Sequence, residues 1–590
     1  MSTIKVFIND KEYTVESDIT IMQACDTIGI KIPRLCYHPK LAISSGCRIC
    51  IVEVEGMRNF VASCSYPVNE GMKIHTNTDE IRKARKDILE LILDNHPKDC
   101  NACVRDEVCE LQQLASTIGL RERKFEGVKR EKYVDDSSPS IVNNHEKCIL
   151  CGRCVKVCAQ IQNISAIDYA NRGFNTVIVP AFNDKIANSI CTLCGQCVNV
   201  CPTAALTEKN YTQDVFKILN DKTKIKVAQV APSVRVAIGE AFGIPAGSNM
   251  EREIAHALKL LGFDYVFDSQ FSADLTIMEE ANEFLERLNG KGKLPMITSC
   301  SSGWMKAMEQ FHPDLIDNVS TCKSPMSMMS SIVKSYFADK IGKKSTDIIN
   351  VAIMCCVAKK YEAQRPELAM EDGAHATDYV ITTRELAWMI KSAGIDFKNL
   401  KGQDFDAPLG LSTGAATIFG VTGGVMEAAI RTAYELATNK PLENIDITSV
   451  RGNEGIKEGS IEINGQEIRV AVASGLGNAH KLLEAAKKDP NKYHFIEIMA
   501  CPGGCIGGGG QPYAGIRDLP FDPKLVNERA KALYKADELN KIRRSHENPA
   551  IIKLYEDFLG KPLGEKSHKY LHTHYKQKFP KGIIRKSKEK

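Results

Sequence analysis

Two runs of cysteine carry the clearest chemistry in this chain. CTLCGQCVNVCP sets Cys191, Cys194, Cys197 and Cys201 at the spacing C-x2-C-x2-C-x3-C and follows them with Pro202. CILCGRCVKVCA repeats the spacing at Cys148, Cys151, Cys154 and Cys158, without the proline. Three thiolates, each two residues from the next, can wrap three corners of an iron–sulfur cubane. The fourth points away as the chain enters a helix and serves the cubane of the other run. A tetrahedral zinc is held by two separated Cys-x2-Cys pairs rather than by two runs of four. Two [4Fe–4S] clusters are therefore expected between Cys148 and Cys201.

Cys36, Cys47, Cys50 and Cys64 offer four more thiolates, for which a [2Fe–2S] centre is the natural fit and zinc the competing reading. His96 precedes Cys100, Cys103 and Cys109. It stands one helical turn before Cys100, so it could be the fourth donor to a further [4Fe–4S] cluster. A lone histidine beside cysteines is otherwise a packing or surface residue, and spacing alone leaves the two readings balanced. Four such clusters can pass electrons singly along a path, but they turn over no substrate. A relay implies a redox site at one end and a small electron carrier at the other.

The later cysteines are sparse. Fifteen of the 22 lie from Cys36 to Cys201 and Cys25 precedes them; Cys300, Cys322, Cys355, Cys356, Cys501 and Cys505 make up the rest. Three segments, PMITSCSSGW (295–304), VAIMCCVAKK (351–360) and IEIMACPGGCIGGGGQP (496–512), each follow a predicted strand. Ligands in parallel α/β folds gather at the carboxyl ends of strands, so these loops can converge. Buried structural cysteines are the alternative. The run Cys-Pro-Gly-Gly-Cys, followed by four glycines, argues against it, because glycines permit close backbone approach to a cluster. Cys25 and Cys322 read as core residues.

Composition sets the bounds. At 590 residues the chain is too long for one core. Hydrophobic content of 43% and charged content of 25% describe a globular protein. A formal net charge of +4 gives nucleic acid no electrostatic hold. No apolar run approaches the ~20 residues that span a bilayer. The start, MSTIKVFINDKEYTVE, lacks the apolar core of a secretory signal, so the cysteines read as metal ligands in a reducing cytoplasm.

These ligands need elements to position them. Residues 4–16 alternate apolar and polar around Asn9-Asp10, a hairpin, and Ile21 to Thr27 should form a short helix. Residues 79–115 read as largely helical, with Ile81, Ile88, Leu89, Leu91 and Ile92 on an apolar face. DDSSPS (135–140) reads as a polar linker, and the tail GIIRKSKEK as solvated. From Lys224 the pattern becomes α/β. Strand-like runs IKVAQV, PMITS, NVAIM, YVIT, IRVAVAS and HFIEIM alternate with helical stretches such as MEREIAHALKLL and TIMEEANEFLERL, which implies a largely parallel sheet. Residues 521–575, rich in Lys, Glu and Leu, should be helical.

With these residues in view, the chain resembles iron-only ([FeFe]) hydrogenases of the long, multi-cluster clostridial type over nearly its whole length. FGVTGGVMEAA (419–429), VRGNEGIKE (450–458) and RRSHENPA (543–550) share in the resemblance. It implies a multidomain α+β and α/β chain: a β-grasp [2Fe–2S] domain (1–78), a [4Fe–4S] domain with one His and three Cys ligands (79–130), a ferredoxin-like 2×[4Fe–4S] domain (139–210), a catalytic domain (222–515) and a small-subunit-like helical segment (516–590). Two four-stranded lobes should flank the active site. His96 becomes a cluster ligand in this reading, making one [2Fe–2S] and three accessory [4Fe–4S] clusters.

The resemblance further implies an H-cluster, a cubane joined through one cysteine sulfur to a diiron unit with CO, cyanide and a bridging dithiolate, and the reaction 2H⁺ + 2e⁻ ⇌ H2. By motif, Cys356, Cys501 and Cys505 are cubane ligands, with Cys505 the bridge. Lys359 matches the lysine that donates to a cyanide, and Met354, Met499, Ala231, Pro232 and Ser233 match the diiron pocket wall. Cys300, Glu280, Ser320 and Glu283 match a proton route, with Arg287 near the surface. Thiol and carboxyl groups suit such a route because their pKa values can be tuned toward neutrality. Apart from the resemblance, Glu280, Glu283 and Arg287 read as a solvated helix face. The implied partners are ferredoxin or flavodoxin and the hydrogenase maturation proteins. No convincing Gly-x-Gly-x-x-Gly turn suggests direct NAD use.

The chain departs from the family at one place. The usual Thr-Ser-Cys-Cys-Pro-x-Trp reads Thr298-Ser299-Cys300-Ser301-Ser302-Gly303-Trp304, putting Ser301 at a cubane-ligand position. The usual Pro-Cys-Thr-Ser-Lys-Lys reads Cys355-Cys356-Val357-Ala358-Lys359-Lys360, and Ser-Pro-Gln-Gln reads Ser324-Pro325-Met326-Ser327. Ser301 oxygen, a shifted Cys300 or the new Cys355 could complete the ligation, or one iron could stay open. The working expectation is a hydrogenase with shifted bias or lower turnover. A hydrogen-sensing or low-turnover paralogue, an electron-transfer subunit of a larger dehydrogenase, and iron–sulfur assembly relatives are the rival readings. Cys356, Cys501 and Cys505 speak against the second, and the [2Fe–2S] set against the third.

Overall fold

Asn9 and Asp10 both take positive φ, 50° and 63°, the twist that a two-residue hairpin turn requires. They join β1 (Thr3–Ile8) to β2 (Lys11–Glu16) in an antiparallel pair. With β3 (Ile51–Val54), β4 (Val61–Ala62) and β5 (Lys73–His75) they form a sheet of order β2-β1-β5-β3-β4, in which β1 and β5 run parallel. Helix α1 (Ile21–Thr27) starts at a Thr20/Gln23 capping box that satisfies donors at both ends of its first turn. It buries Ile21, Met22 and Cys25 against Val6, Ile8 and Val52. This is the β-grasp arrangement. The computed structural model describes residues 2–130, 133–513 and 522–579.

Two expectations in the next stretch need correction. The helical region is two helices, α2 (Asp79–Asp94) and α3 (Glu110–Ile118), separated by turns. Its buried face is Ile81, Leu89 and Leu93, whereas Leu91 is 58% exposed. At 3.6 residues per turn the three buried side chains fall within a stripe about 120° wide, while Leu91 lies about 160° round from Leu89. The DDSSPS segment is no linker. Asp135 ends a short strand, and Asp135, Ser138 and Ser140 are buried. The Asp135 carboxylate accepts from Ser137 N at 3.1 Å and Ile186 N at 2.7 Å, so these polar residues satisfy backbone donors inside a folded turn.

The rear of the chain is built on two sheets. Strands β6 (Ile225–Val230), β7 (Tyr265–Asp268), β9 (Ile348–Met354) and β10 (Tyr379–Thr382) pair in parallel in the order β7-β6-β9-β10. Strands β8 (Met296–Ile297), β11 (Ile456–Ile463), β12 (Gln466–Ser474) and β13 (Phe495–Met499) pair in the order β8-β13-β12-β11, with β11 antiparallel. The sequence reading omitted β7 and β11. β7 is four residues long, and β11 alternates exposed and buried residues as an edge strand does.

Helix α4 (Ser269–Leu288) carries two apolar faces. Ala273, Ile277, Ala281 and Phe284 pack toward the β8-β13-β12-β11 lobe, while Phe271 and Leu275 join the core beneath the other sheet. Burying each such large side chain contributes about 1.5–3 kcal/mol. Behind them lie helices at Pro523–Leu539, Pro549–Leu554 and Glu565–Leu571. The basic tail lies outside the described residues.

Candidate active site

The two ferredoxin-like runs share their backbone as well as their spacing. Leu150 and Leu193 hold positive φ (53° and 60°), and so do Gly152 and Gly195 (74° and 76°). Each run thus turns its first three sulfurs inward before a short helix carries the fourth away. One atom-free space of about 350 Å³ is lined by Cys148, Cys151, Cys154 and Cys201. A second, of about 450 Å³, is lined by Cys158, Cys191, Cys194 and Cys197. Each space therefore takes three sulfurs from one run and one from the other.

Upstream, Cys36 and Cys47 are in sulfur–sulfur contact, and so are Cys50 and Cys64. Two pairs of thiols suit a centre of two irons, each taking two terminal thiolates. His96 follows the end of α2 and is tied by its N–H to Leu93 O at 3.0 Å. Its Nδ1 is buried without a hydrogen-bond partner. Burial lowers its pKa to about 4, which keeps the ring neutral and able to donate a lone pair. Cys100 opens a 3-10 turn and Cys109 caps α3, so this donor set sits between two helix ends.

Between the lobes of the rear domain lies a space of about 860 Å³, at the carboxyl ends of β6, β9 and β13. Ala231, Pro232 and Ser233 follow β6, Met354 ends β9 with Cys355 and Cys356 after it, and Met499 ends β13 with Cys501 and Cys505 after it. Cys300 and Ser301 enter from the loop after β8. The lining is mostly apolar, with Lys359 its one charged side chain. Three thiols, that of Cys501 buried and those of Cys356 and Cys505 half-buried, converge on this apolar space beside methionines, a donor set and volume that fit an iron–sulfur assembly. Cys194 lines both this space and the nearer ferredoxin-like one.

The glycines serve packing of backbone on backbone more than approach to a cluster. A Cβ on Gly509 would stand 2.7 Å from Cys194 O, and one on Gly510 2.8 Å from Thr382 Cγ2. Gly508 is pressed against Cys355 O, and Gly195 against Val357. The loop 507–510 therefore lies directly on the Cys194 turn.

The altered motifs converge on one carboxylate. Glu362 receives the hydroxyls of Ser302, Ser324 and Ser327 and, at 2.8 Å, Lys359 Nζ. Although burial opposes it, Lys359 and these hydroxyls hold the Glu362 pKa below the usual carboxylate range. Lys359 Nζ also donates to Ser324 Oγ at 2.7 Å and to Cys300 O at 3.2 Å. Sequence reasoning missed Glu362; its place one helical turn after Lys359 was the available signal.

Ser301 Oγ accepts from Ala500 N at 3.2 Å and does not cap the helix it precedes, Ser302–Phe311. Cys355 faces Cys505 and Ser233. Cys300 faces Glu280; burial first, then that charge, raise its thiol pKa.

Glu280 is fully buried, and neither carboxylate oxygen makes a hydrogen bond of normal geometry. Burial, then the nearby Glu283 charge, push its pKa up to about 8. Ser320 Oγ donates to Glu283 Oε2 at 2.9 Å, and Arg287 grips Glu283 at 2.6 Å. The solvated-face reading fails for these residues: Glu280 is fully buried, and Glu283 and Arg287 are only 8% and 7% exposed. The Arg287 guanidinium donates to the carbonyls of Lys293, Asp317, Asn318 and Val319. Cys25 and Cys322 are core residues.

Five family profiles match the chain. They are described as a 2Fe-2S iron-sulfur cluster binding domain (1–79), an NADH-ubiquinone oxidoreductase-G iron-sulfur binding region (85–124), a 4Fe-4S dicluster domain (147–205), the C-terminal domain of the iron-only hydrogenase large subunit (224–509) and the iron hydrogenase small subunit (523–578). The NADP-reducing hydrogenase subunit HndD of Solidesulfovibrio fructosivorans is 48% identical over 98% of this chain and 99% of its own. Iron hydrogenase 1 of Clostridium pasteurianum is 41% identical over 97% of this chain and 100% of its own. A solved structure, that of a variant of the apo [FeFe]-hydrogenase HydA1 from Chlamydomonas reinhardtii, superposes with a TM-score of 0.56 at 43% identity, covering 64% of this chain and 100% of that one.

Proposed function

The chain belongs to the iron-only ([FeFe]) hydrogenases, and from that premise we propose that it interconverts protons, electrons and H2 at an H-cluster fed through four accessory clusters. The observation that carries this reading is Cys194, which lines both the inner ferredoxin-like space and the central cavity. An electron on a cluster held there borders the catalytic space with no intervening domain.

We assign a [2Fe–2S] centre to Cys36, Cys47, Cys50 and Cys64. [4Fe–4S] clusters go to His96 with Cys100, Cys103 and Cys109, to Cys148, Cys151, Cys154 and Cys201, and to Cys158, Cys191, Cys194 and Cys197. The domains divide at 1–78, 79–130, 139–210, 222–515 and 516–590. The H-cluster, when bound, supplies the iron site at which two electrons and two protons combine. Cys356, Cys501 and Cys505 would hold it, with Ser301 oxygen as the fourth cubane donor. Ser301 lines the cavity together with Cys300 and Cys355; its Oγ stands against Ala500 N, next to Cys501, whereas Cys300 faces Glu280 and Cys355 faces Cys505. Lys359, fixed by Glu362, presents its ammonium to the cavity wall, and Met354, Met499 and Pro232 exclude water. Glu280, neutral near pH 7 because of its burial, hands protons to the Cys300 thiol and is recharged through Ser320 and Glu283.

The electron partner is a ferredoxin or flavodoxin docking near the front clusters. A second reading is favoured by the relative named as a subunit of an NADP-reducing hydrogenase: electrons would pass to a separate nucleotide-binding subunit. Among the described residues no helix is long and apolar enough to cross a membrane, and we place the protein in the cytoplasm.

The test is an infrared spectrum of anaerobic protein made with the hydrogenase maturation proteins, under argon and then H2. CO and cyanide bands that shift with H2, together with H2-dependent reduction of ferredoxin, are expected. Bands without turnover would mark a sensor. Absent bands beside a matured control would leave only an electron relay. Reduction of NADP solely in the presence of a second subunit would select the second acceptor.

A further inference from the structure

The Arg287 guanidinium cannot be the mouth of a proton path. It does not lose a proton in proteins, and each of its three nitrogens already donates to Glu283 or to a carbonyl. It holds Glu283 in place and leaves the supply of protons to another group.

A second hydrogen-bonded line reaches Glu283 from the C-terminal segment. The chain at 321–323 pairs with 571–573, Lys323 N donating to Leu571 O and Thr573 N to Thr321 O, both at 2.8 Å. This sets the His572 ring beside Glu283 and Cys322, with one donor atom of each within 4.8 Å of the others. His572 Nδ1 is 2.8 Å from Thr321 Oγ1, and Thr321 Oγ1 donates to Glu283 Oε2 at 3.4 Å. His572 Nε2 lies 3.0 Å from Glu279 Oε2, which also accepts from Leu563 N at 2.8 Å; the other Glu279 oxygen accepts from Tyr555. His572 itself is 6% exposed, but its ring packs at 4.5 Å on that of His568, which is exposed.

We propose that His572 is the proton-relay residue through which solvent protons reach Glu283, by way of the Thr321 hydroxyl. The inference rests on the hydrogenase reading for its purpose, though not for its geometry. With both ring nitrogens protonated, His572 donates from Nε2 to Glu279 and from Nδ1 to Thr321. In the transfer the His572 Nδ1–H bond breaks and Thr321 Oγ1 takes that proton. The former Thr321 hydroxyl proton passes to Glu283 Oε2. His572 is left neutral with its remaining proton on Nε2; the bare Nδ1 regains a proton from water when the ring turns toward the exposed His568 edge, and the ring and the Thr321 hydroxyl then turn back to their starting partners. During H2 oxidation the same steps run backward, and no electron moves. The charged and titratable groups facing the imidazole are Glu279 on α4, Glu283 on α4, Cys322 on the paired segment and His568 on the last helix, with His574 beyond His568. Burial keeps the Cys322 thiol protonated and out of the transfer.

The test uses matured full-length protein with His572→Ala, Thr321→Val and Thr321→Ser. Two readouts are taken. One is the pH profile of H2 production with and without added imidazole. The other is the rate at which the Glu280 carboxylic C=O band, identified by its loss in Glu280→Gln, shifts after rapid mixing into D2O. His572→Ala should slow both by about tenfold or more, given the usual weight of a positioned proton-transfer group. Imidazole should restore it and the pH profile should change shape. Thr321→Val should be slowed and not rescued, and Thr321→Ser should behave as wild type. Unchanged deuterium exchange in His572→Ala and Thr321→Val overturns the proposal. So does a slowed His572→Ala with an unaltered pH profile and no rescue, which would mark a structural role. If His572→Ala fails to load its clusters, Thr321→Val decides, because it keeps shape and removes only the hydroxyl. If wild type evolves no H2, the turnover reading fails and the exchange rate alone decides the path.

Discussion

Cys191, Cys194 and Cys197 reach their space from one turn of chain, whereas Cys356, Cys501 and Cys505 reach the central cavity from the ends of β9 and β13, strands of different sheets. In the front third the ligand geometry is local. A positive-φ Leu and a positive-φ Gly bend the loop, and the spacing follows from the bend. In the rear the geometry is long-range, and the two lobes must close before Cys356 meets Cys501 and Cys505. Local sites tolerate little change in spacing but depend little on the rest of the fold. Long-range sites can take a donor from a neighbouring position, if the scaffold still brings the loops together.

The largest effect expected from that contrast is in Cys505→Ala. Losing one rear thiolate should remove the CO and cyanide infrared bands and cut H2 turnover by about a thousand-fold, about 4 kcal/mol in barrier. Cys36→Ala should keep the bands and lose only the electron paramagnetic resonance signal of the front centre and exchange with the outer carrier. If both variants lost the bands, the front third would be required to fold the rear, and the contrast would break.

Next in size is Glu280→Gln, which should keep the bands and lower turnover by about a hundredfold, within the range for a positioned proton-transfer group. It also has a stability signature. Burial first, then Glu283, raise the Glu280 pKa from 4.5 to about 8, so folding favours the protonated form. The wild type then has its full stability below about pH 4.5 in this group and loses it as pH rises to about 8, by a few kcal/mol. Glu280→Gln should flatten that part of the profile, and its midpoint of chemical denaturation should exceed the wild-type value at pH 9. Front-third carboxylates such as Glu55, Asp136 and Asp184 have their pKa lowered by their partners, so any contribution of theirs runs the other way and is lost as pH falls.

How much could be read beforehand follows the same divide. The hairpin at Asn9-Asp10, the helix Ile21–Thr27 and the two cysteine runs were legible because turn chemistry, capping and ligand spacing are local properties. Six strands of the rear lobes were legible from buried apolar runs, but not how the loops meet. Leu91 failed because counting hydrophobic residues ignored the angle around the helix. Asp135, Ser138 and Ser140 failed because polar composition cannot distinguish a solvated linker from a turn whose side chains satisfy buried amides. Thr321 and His572 carried no signal of their own, since each acts through partners distant in sequence, and Glu362 offered only its place one helical turn after Lys359.

Gly195 joins the two regions, and its substitution sharpens the comparison. It holds φ of 76°, and a Cβ there would meet Val357 and, at 3.1 Å, Gly509 Cα. Gly195→Ala should cost about 1–3 kcal/mol through strain and overpacking. It should also slow electron arrival at the central cavity in flash-reduction kinetics, because the Cys194 turn must move off the glycine loop. Gly173→Ala is the control. Its φ is 61° but nothing lies within 4 Å of the added Cβ. It should carry only the backbone cost, about 1 kcal/mol, with unchanged electron transfer.

The smallest change in rate is expected where the chain departs furthest from its family. Ser301 Oγ accepts from Ala500 N at 3.2 Å on the cavity wall, so the backbone already supplies a donor that would stabilise a negatively charged oxygen there. A harder oxygen donor lowers the potential of a cubane relative to thiolate, and a change of donor tunes a cluster more than it destroys it. Ser301→Cys should therefore keep every infrared band, change turnover by less than about tenfold, and shift the cubane midpoint upward in a redox titration, with the ratio of H2 oxidation to H2 production moving accordingly. An unmoved midpoint would remove Ser301 from the ligand set. Cys355→Ser and Cys300→Ser then divide the remaining possibilities. A shift on altering Cys355 would mean that the thiol that replaced a proline has taken over the missing thiolate from the far side of the same cavity. A shift on altering Cys300 would mean that the proton path and the cubane share one sulfur, and the Glu280 effect would have to be re-read as a change in ligation.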